Sequence, residues 1–212
     1  MSYIGSKPAN KPVVASDLDP TVITGQTALA TSPANTDEFL ISDAGVLKRL
    51  DASLVGGGKV LQVVSATRTG FQTIATATAT LTDLTGLSVA ITPSATSSKI
   101  LVIFSVSVGQ NSGGSAMARV VIDRGGSTIL QGDASGSRTR GAVNAGLQTN
   151  STYVMEVLSQ QFLDSPSSTS ALTYKLKAGG FNSRSFDINQ TKVDAAEGAT
   201  ASSTITVMEI GA

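Results

Sequence analysis

From residue 59 to residue 210 the chain repeats one pattern, a short run of β-branched and alternating apolar residues followed by a cluster of Gly, Ser, Asn or Asp. That rhythm belongs to an all-β sandwich or barrel. Strands are expected at 59–66, 71–81, 87–92, 99–108, 116–123, 127–131, 141–149, 152–163, 171–178, 184–188 and 203–210. No segment sustains a 3.6-residue apolar period, so helices should be few.

The faces of these strands differ. Along 99–108, Ile100, Val102, Phe104, Val106 and Val108 line one face, while Leu101 and Ile103 give way to Ser105 and Ser107 on the other. A strand apolar on both faces over its first half reads as central and covered there. In 171–178, Leu172, Tyr174, Leu176 and Ala178 alternate with Thr173, Lys175 and Lys177, so one side should meet solvent. The last strand sets Ile205 and Val207 against Thr206, Met208 and Ile210. It is either central in its sheet or buried between subunits, which makes Thr206, Met208 and Ile210 candidates for a subunit interface. The Thr/Ala alternation at 73–82 suits close stacking, an exposed edge, or low-complexity drift.

Residues 1–55 break the pattern, and Gly56, Gly57 and Gly58 set them apart as an arm before a head at 59–212. Pro8, Pro12 and Pro20 hold the first twenty residues extended. The sparse apolar side chains Tyr3, Ile4, Val13, Val14 and Leu18 read as pegs for another surface or as a disordered tail. At 38–50, two apolar runs flank Asp43, Ala44 and Gly45, the signature of a β-hairpin, with one helical turn possible at 51–55. An isolated hairpin is marginal in water, so Phe39, Leu40, Ile41, Leu47 and Leu50 need a surface to cover.

Composition narrows the chemistry. Charged residues make up 14% of the chain and the formal net charge is zero, so no global field draws it to nucleic acid or an anionic membrane. With no cysteine, neither a disulfide framework nor a thiolate metal site is available. The longest apolar run, 100–104, is far short of the ~20 residues that cross a bilayer. The amino terminus lacks the apolar core of an export signal, so the chain is expected to be soluble or part of a soluble assembly.

Catalytic patterns fare poorly. Histidine is absent, which excludes a Ser-His-Asp arrangement. Gly56-Gly57-Gly58-Lys59 fails as a phosphate loop because Ser53 and Val60 stand where Gly and Ser or Thr are needed. Asp123, Asp133, Asp164 and Asp187 fall near strand ends, yet no spacing singles out a catalytic pair, and turn or cap roles account for them. No cofactor or metal is implied. Small-residue loops are expected at 109–115, 132–141, 164–170, 178–183 and 189–202. Within them Arg138, Arg140 and Phe181 are the candidates for contacting another molecule, with pairing inside the assembly as the other use of the arginines.

These residues also carry a resemblance. Residues 3–12 (Tyr-Ile-Gly-Ser-Lys-Pro-Ala-Asn-Lys-Pro) and 36–45 (Thr-Asp-Glu-Phe-Leu-Ile-Ser-Asp-Ala-Gly) resemble the N-terminal attachment segment of bacteriophage virion surface proteins. Residues 59–64, 87–102, 132–138 and the closing 205–210 resemble the β-sandwich module of the same proteins, found in tail fibres of aquatic phages and in trimeric capsid cement proteins of short-tailed cyanophages. The resemblance implies a homotrimeric virion protein and carries over no catalytic residue. The expected architecture is an antiparallel β-sandwich, jelly-roll-like, with an extended N-terminal arm. The expected role is capsid decoration, the arm gripping the major capsid protein. The alternative is a tail appendage, held by a tail or adaptor protein, whose loops bind a host-cell receptor. A tail fibre needs reach, and no heptad, collagen or solenoid repeat supplies a shaft here.

Overall fold

The computed structural model describes residues 25, 27, 33, 34, 36–55, 60–75, 80–111, 116–147, 153–181 and 184–211. The chain divides into two compact units, Met1–Gly56 and Gly57–Ala212.

In the first unit, Glu38–Asp43 (β1) and Val46–Asp51 (β2) form an antiparallel hairpin. Its turn is two residues long: Ala44 at φ 51° and Gly45 at φ 83° both take the left-handed conformation that matches strand twist. Phe39 pairs with Leu50 and Ile41 with Lys48, while Leu40 pairs with Arg49 and Leu47 with Ser42. Arg49 reaches Glu38 at 3.0 Å, and Lys48 pairs with Asp43. The turn expected before the glycines is a single 3-10 turn, Ala52–Leu54, opened by Ala52 N–H donating to the Asp37 carbonyl at 2.7 Å.

The second unit holds Val60–Arg68 (β3), Gln72–Ile74 (β4), Thr82–Ile91 (β5), Lys99–Gln110 (β6), Ala116–Arg124 (β7), Ser127–Ile129 (β8), Val143–Leu147 (β9), Met155–Asp164 (β10), Leu172–Phe181 (β11), Phe186–Ile188 (β12) and Ser203–Ile210 (β13). One sheet runs β3-β13-β6-β10, and β12, followed by β4, takes over from β13 on the same side of β6 beyond Ser105. The other runs β5-β11-β7, with β9 and β8 sharing the far side of β7. Every pairing is antiparallel. Two packed four-stranded sheets ordered β3-β13-β6-β10 and β5-β11-β7-β9 have the strand order of a jelly roll.

Period-two alternation builds the core. Ile100, Val102, Phe104, Val106 and Val108 of β6 face Leu84, Leu87 and Val89 of β5, Val120 and Ile122 of β7, and Tyr174 and Leu176 of β11 in one buried cluster. The structure also corrects several expectations. The stretch 71–81 is not one strand: β4 ends at Ile74, and β5 begins at Thr82, well before the expected 87. Strand β11 continues through Phe181, where a loop was expected. On β6 the coverage is reversed. Ile103 is 36% exposed and Leu101 half-buried, whereas Ser107 is 5% exposed. The reason lies where β13 gives way to β12 along β6. There Ser203 Oγ accepts the Ser107 amide at 3.0 Å and Asn189 N–H donates to the Ser107 carbonyl at 2.9 Å, closing the gap in the ladder.

Candidate interaction surface

The outer face of the β3-β13-β6-β10 sheet is built in rows. Register places Val63, Met208, Leu101 and Leu163 side by side across the four strands. The next row is Ser65, Thr206, Ile103 and Gln161, and the one beyond is Thr67, Thr204, Ser105 and Ser159. At the near edge Ile210 and Leu61 extend the apolar area. The face therefore changes from apolar, beside the chain's entry at Val60, to hydroxyl-rich farther along. Ser65 and Thr206 hydrogen bond at 2.9 Å in the row where the change occurs.

Burial sharpens this picture. Val63 is 55% exposed, Leu163 52%, Leu61 51% and Ile103 36%, with Met208, Leu101 and Ile210 half-buried. Together these side chains present roughly 500 Å² of apolar surface, within the ~300–600 Å² of the largest patch on a typical monomer, a size that often marks function. Lys99 is the one ionised side chain at these outward positions, and it donates to Ser165 Oγ at 2.8 Å.

Interior polar groups serve the fold. Glu209, on the inner side of β13, has no exposed surface. Its carboxylate accepts Gln62 Nε2, Ser94 N–H and Ser94 Oγ, each at 2.6 Å. Burial opposes the charge, but these donors outweigh it and hold the pKa down to about 2. Asp164, at the end of β10, accepts Arg124 Nη1 and the Tyr174 hydroxyl, both at 2.6 Å. Burial first, then this contact with a carboxylate, pushes the Tyr174 phenol up.

Asp123 is buried, which disfavours its charge, yet Lys177 at 2.9 Å and the Gly126 amide at 2.9 Å bring its pKa below the ordinary value. Asp187 accepts Thr73 Oγ1 at 2.6 Å, Asn111 Nδ2 at 2.5 Å and Gln190 Nε2 at 3.1 Å. Asp133 lies exposed in the 132–141 loop. The four aspartates weighed for catalysis thus sit in four separate settings, three of them holding elements together. Among the described residues no cluster of three or more Asp or Glu could hold a metal ion.

The anchoring candidates Tyr3, Ile4, Val13, Val14 and Leu18 lie outside the described residues. In the hairpin, Leu40 is 73% exposed and Phe39 41%, while Ile41 and Leu50 are half-buried. Thr206, Met208 and Ile210 fall on the outer face just described, on a strand central in its sheet. Arg138 and Arg140 turn inward on their own loop: Arg138 Nη1 donates to Ser135 Oγ at 3.0 Å and Arg140 Nε to the Gly132 carbonyl at 2.6 Å. The Arg140 carbonyl in turn accepts Arg119 Nη1 at 3.0 Å, fastening the loop to β7. Phe181 ends β11, opposite Met117. Sequence reasoning missed Val63 and Leu163 as members of the apolar rows, because pairing across four strands is not local. It also placed Phe71 on a strand, whereas Phe71 stands 62% exposed beside a turn.

No family model and no curated protein matches this sequence. Solved structures that match this chain include infectious bursal disease virus of the Gx strain, at 9% identity and TM-score 0.35, covering 80% of this chain and 45% of that one. The VP2 subviral particle of the same virus gives 14% identity and TM-score 0.33, covering 84% and 43%. A mutant VP2 in derived T=1 particles gives 10% identity and TM-score 0.33, covering 80% and 40%. This chain spans less than half the length of each. The assignment of an antiparallel jelly-roll sandwich rests on the strand pairing itself.

Proposed function

We propose that this chain is a non-enzymatic bacteriophage structural protein. In this reading it is a homotrimeric capsid decoration protein whose N-terminal arm grips the major capsid protein and whose jelly-roll head stands on the virion surface. The observation that carries the reading is the apolar half of the β3-β13-β6-β10 outer face. We assign its cover to a neighbouring copy of the same chain. The patch is apolar and nearly uncharged, and it belongs to a chain of zero net charge, so nothing in it repels its own image.

Magnitudes favour an assembly held at several points. Covering roughly 500 Å² of apolar surface yields on the order of 12 kcal/mol gross. Association itself costs ~4–15 kcal/mol. A patch of this size holds copies together only weakly alone. Five arm side chains burying ~60 Å² each add about 7 kcal/mol gross, set against ~1–2 kcal/mol for every residue they order. Three arms on one trimer act together through effective concentration, turning weak grips into stable attachment. The protein would assemble onto particles in the bacterial cytoplasm.

The second reading, a tail appendage held by a tail or adaptor protein and binding a host receptor, is favoured by the exposed ring of Phe71 among the head's loops. Quantifying the protein on purified particles separates the two. Hundreds of copies per particle accord with decoration of a lattice, and a handful would assign it to the tail. Deleting residues 1–55 should give a folded head that no longer attaches to particles. Normal attachment by the truncated protein would refute the anchoring role of the arm.

A further inference from the structure

At the end of the sandwich away from Val60, Phe71 borders a cleft of about 450 Å³ lined by Gln190, Lys192, Asp194 and Thr200 of the β12–β13 loop. That volume falls within the ~300–1,000 Å³ of small-molecule sites. Its walls are fixed on both sides. On the Phe71 side, buried Asn189 donates to the carbonyls of Arg68 at 3.0 Å and Gly70 at 3.1 Å, and Arg68 donates to the carbonyl of Phe71 itself. Asn189 is held in turn by Ser203 Oγ at 2.6 Å.

On the loop side, Thr191 N–H donates to the Ala199 carbonyl at 3.0 Å, and Ala199 N–H donates back to Thr191 Oγ1 at 3.0 Å. A Cβ at Gly198 would come within 2.2 Å of the Val193 carbonyl oxygen, so the loop closes on itself as tightly as its backbone permits. The ring of Phe71 is thus kept 62% exposed on a rigid support, where a large apolar side chain ordinarily turns inward.

We propose that this cleft binds a neutral saccharide. A pyranose has apolar C–H faces and a rim of hydroxyls, and it needs a flat apolar platform beside both donors and acceptors. Phe71 supplies the platform. Lys192 and Asp194, both exposed and in no ion pair among the described residues, supply a donor and an acceptor at the rim, with Thr200 offering either. One cation and one anion leave the cleft without net charge, which disfavours polyanionic and polycationic ligands alike. The rigidity of both walls lowers the ordering cost of binding.

Saturation-transfer NMR on the full-length protein with maltose, lactose and N,N′-diacetylchitobiose tests the assignment. At least one sugar should show transfer strongest at its ring C–H protons. Phe71→Ala should abolish the signal and Phe71→Tyr retain it. Lys192→Ala and Asp194→Asn should each weaken binding roughly tenfold, the change expected from one lost polar contact. Absence of transfer to all three sugars, or an undiminished signal in both Phe71→Ala and Lys192→Ala, overturns the proposal, as does preferential binding of heparin oligosaccharides. The measurement is made in solution, so its outcome is separate from whether the protein decorates a capsid or a tail.

Discussion

The hydroxyl of Tyr174, on β11, donates to the carboxylate of Asp164, on β10, at 2.6 Å, so one hydrogen bond ties the two sheets of the sandwich together. Arg124 of β7 binds the same oxygen, also at 2.6 Å. Tyr174→Phe keeps the packing and removes the hydroxyl, leaving a largely buried carboxylate with one donor fewer. The head should lose about 1.5–3 kcal/mol, the usual worth of a hydrogen bond to a charged group. Urea unfolding will show this as a lower midpoint at unchanged slope.

Glu209 predicts a pH dependence of defined sign. Its carboxyl has an ordinary pKa of 4.5 and titrates at about 2 in the folded head. Above pH 4.5 both states are ionised and the full stabilisation is present. As pH falls from there toward 2, the unfolded chain takes up a proton that the folded one does not, and stability declines. Glu209→Gln should be less stable near neutrality, because its amide cannot accept from Gln62 and Ser94 together. The gap between wild type and variant should narrow on acidification. Denaturation midpoints compared at about pH 7 and about pH 3 give the answer, and a constant gap would count against the assignment.

At Gly109 a Cβ would lie 1.9 Å from the Gln190 carbonyl oxygen, a distance neither backbone can absorb without moving. Gly109→Ala should destabilise the head by roughly 1–3 kcal/mol or more and speed hydrogen exchange in the β12–β13 loop. Gly132→Ala, where nothing lies within 4 Å of the added carbon, is the control and should be near neutral.

If neighbouring copies cover the apolar rows, as proposed, charges placed there should disperse the trimer without unfolding the head. Ile103→Asp and Leu163→Asp each point outward from positions already 36% and 52% exposed. Sedimentation should show monomers in place of trimers at micromolar concentration, with an unchanged far-ultraviolet spectrum. Trimers that survive both substitutions would move the interface elsewhere on the head.

What the sequence disclosed, and what it hid, follows from the range of the interactions involved. The alternation from Ile100 to Val108 is local and periodic, so the inner face of β6 could be read directly. The same holds for the hairpin around Ala44 and Gly45, whose turn chemistry lies within a few residues. Leu101 and Ile103 were legible as apolar on a second face, but alternation cannot tell cover by the same chain from cover by another. Glu209 shares the face of Ile205 and Val207 by alternation, a place where a charge is out of keeping with local pattern. Its burial depends on Gln62 and Ser94, more than a hundred residues away. Phe71 has β propensity, but it stands just ahead of β4, where Asn189 holds the carbonyls of Arg68 and Gly70 and Arg68 holds that of Phe71.

Strand β3 is an edge strand whose first residue, Val60, pairs with Ile210 near the carboxyl end of the chain. That pairing gives the head a mechanical polarity. A pull between the arm and the carboxyl terminus peels β3 from β13, breaking its hydrogen bonds one after another. The same pull between the arm and the β12–β13 loop draws β3 and β13 lengthwise past each other and loads the hydrogen bonds between them together. The head resists force best when it is held by its root and drawn by its far loops.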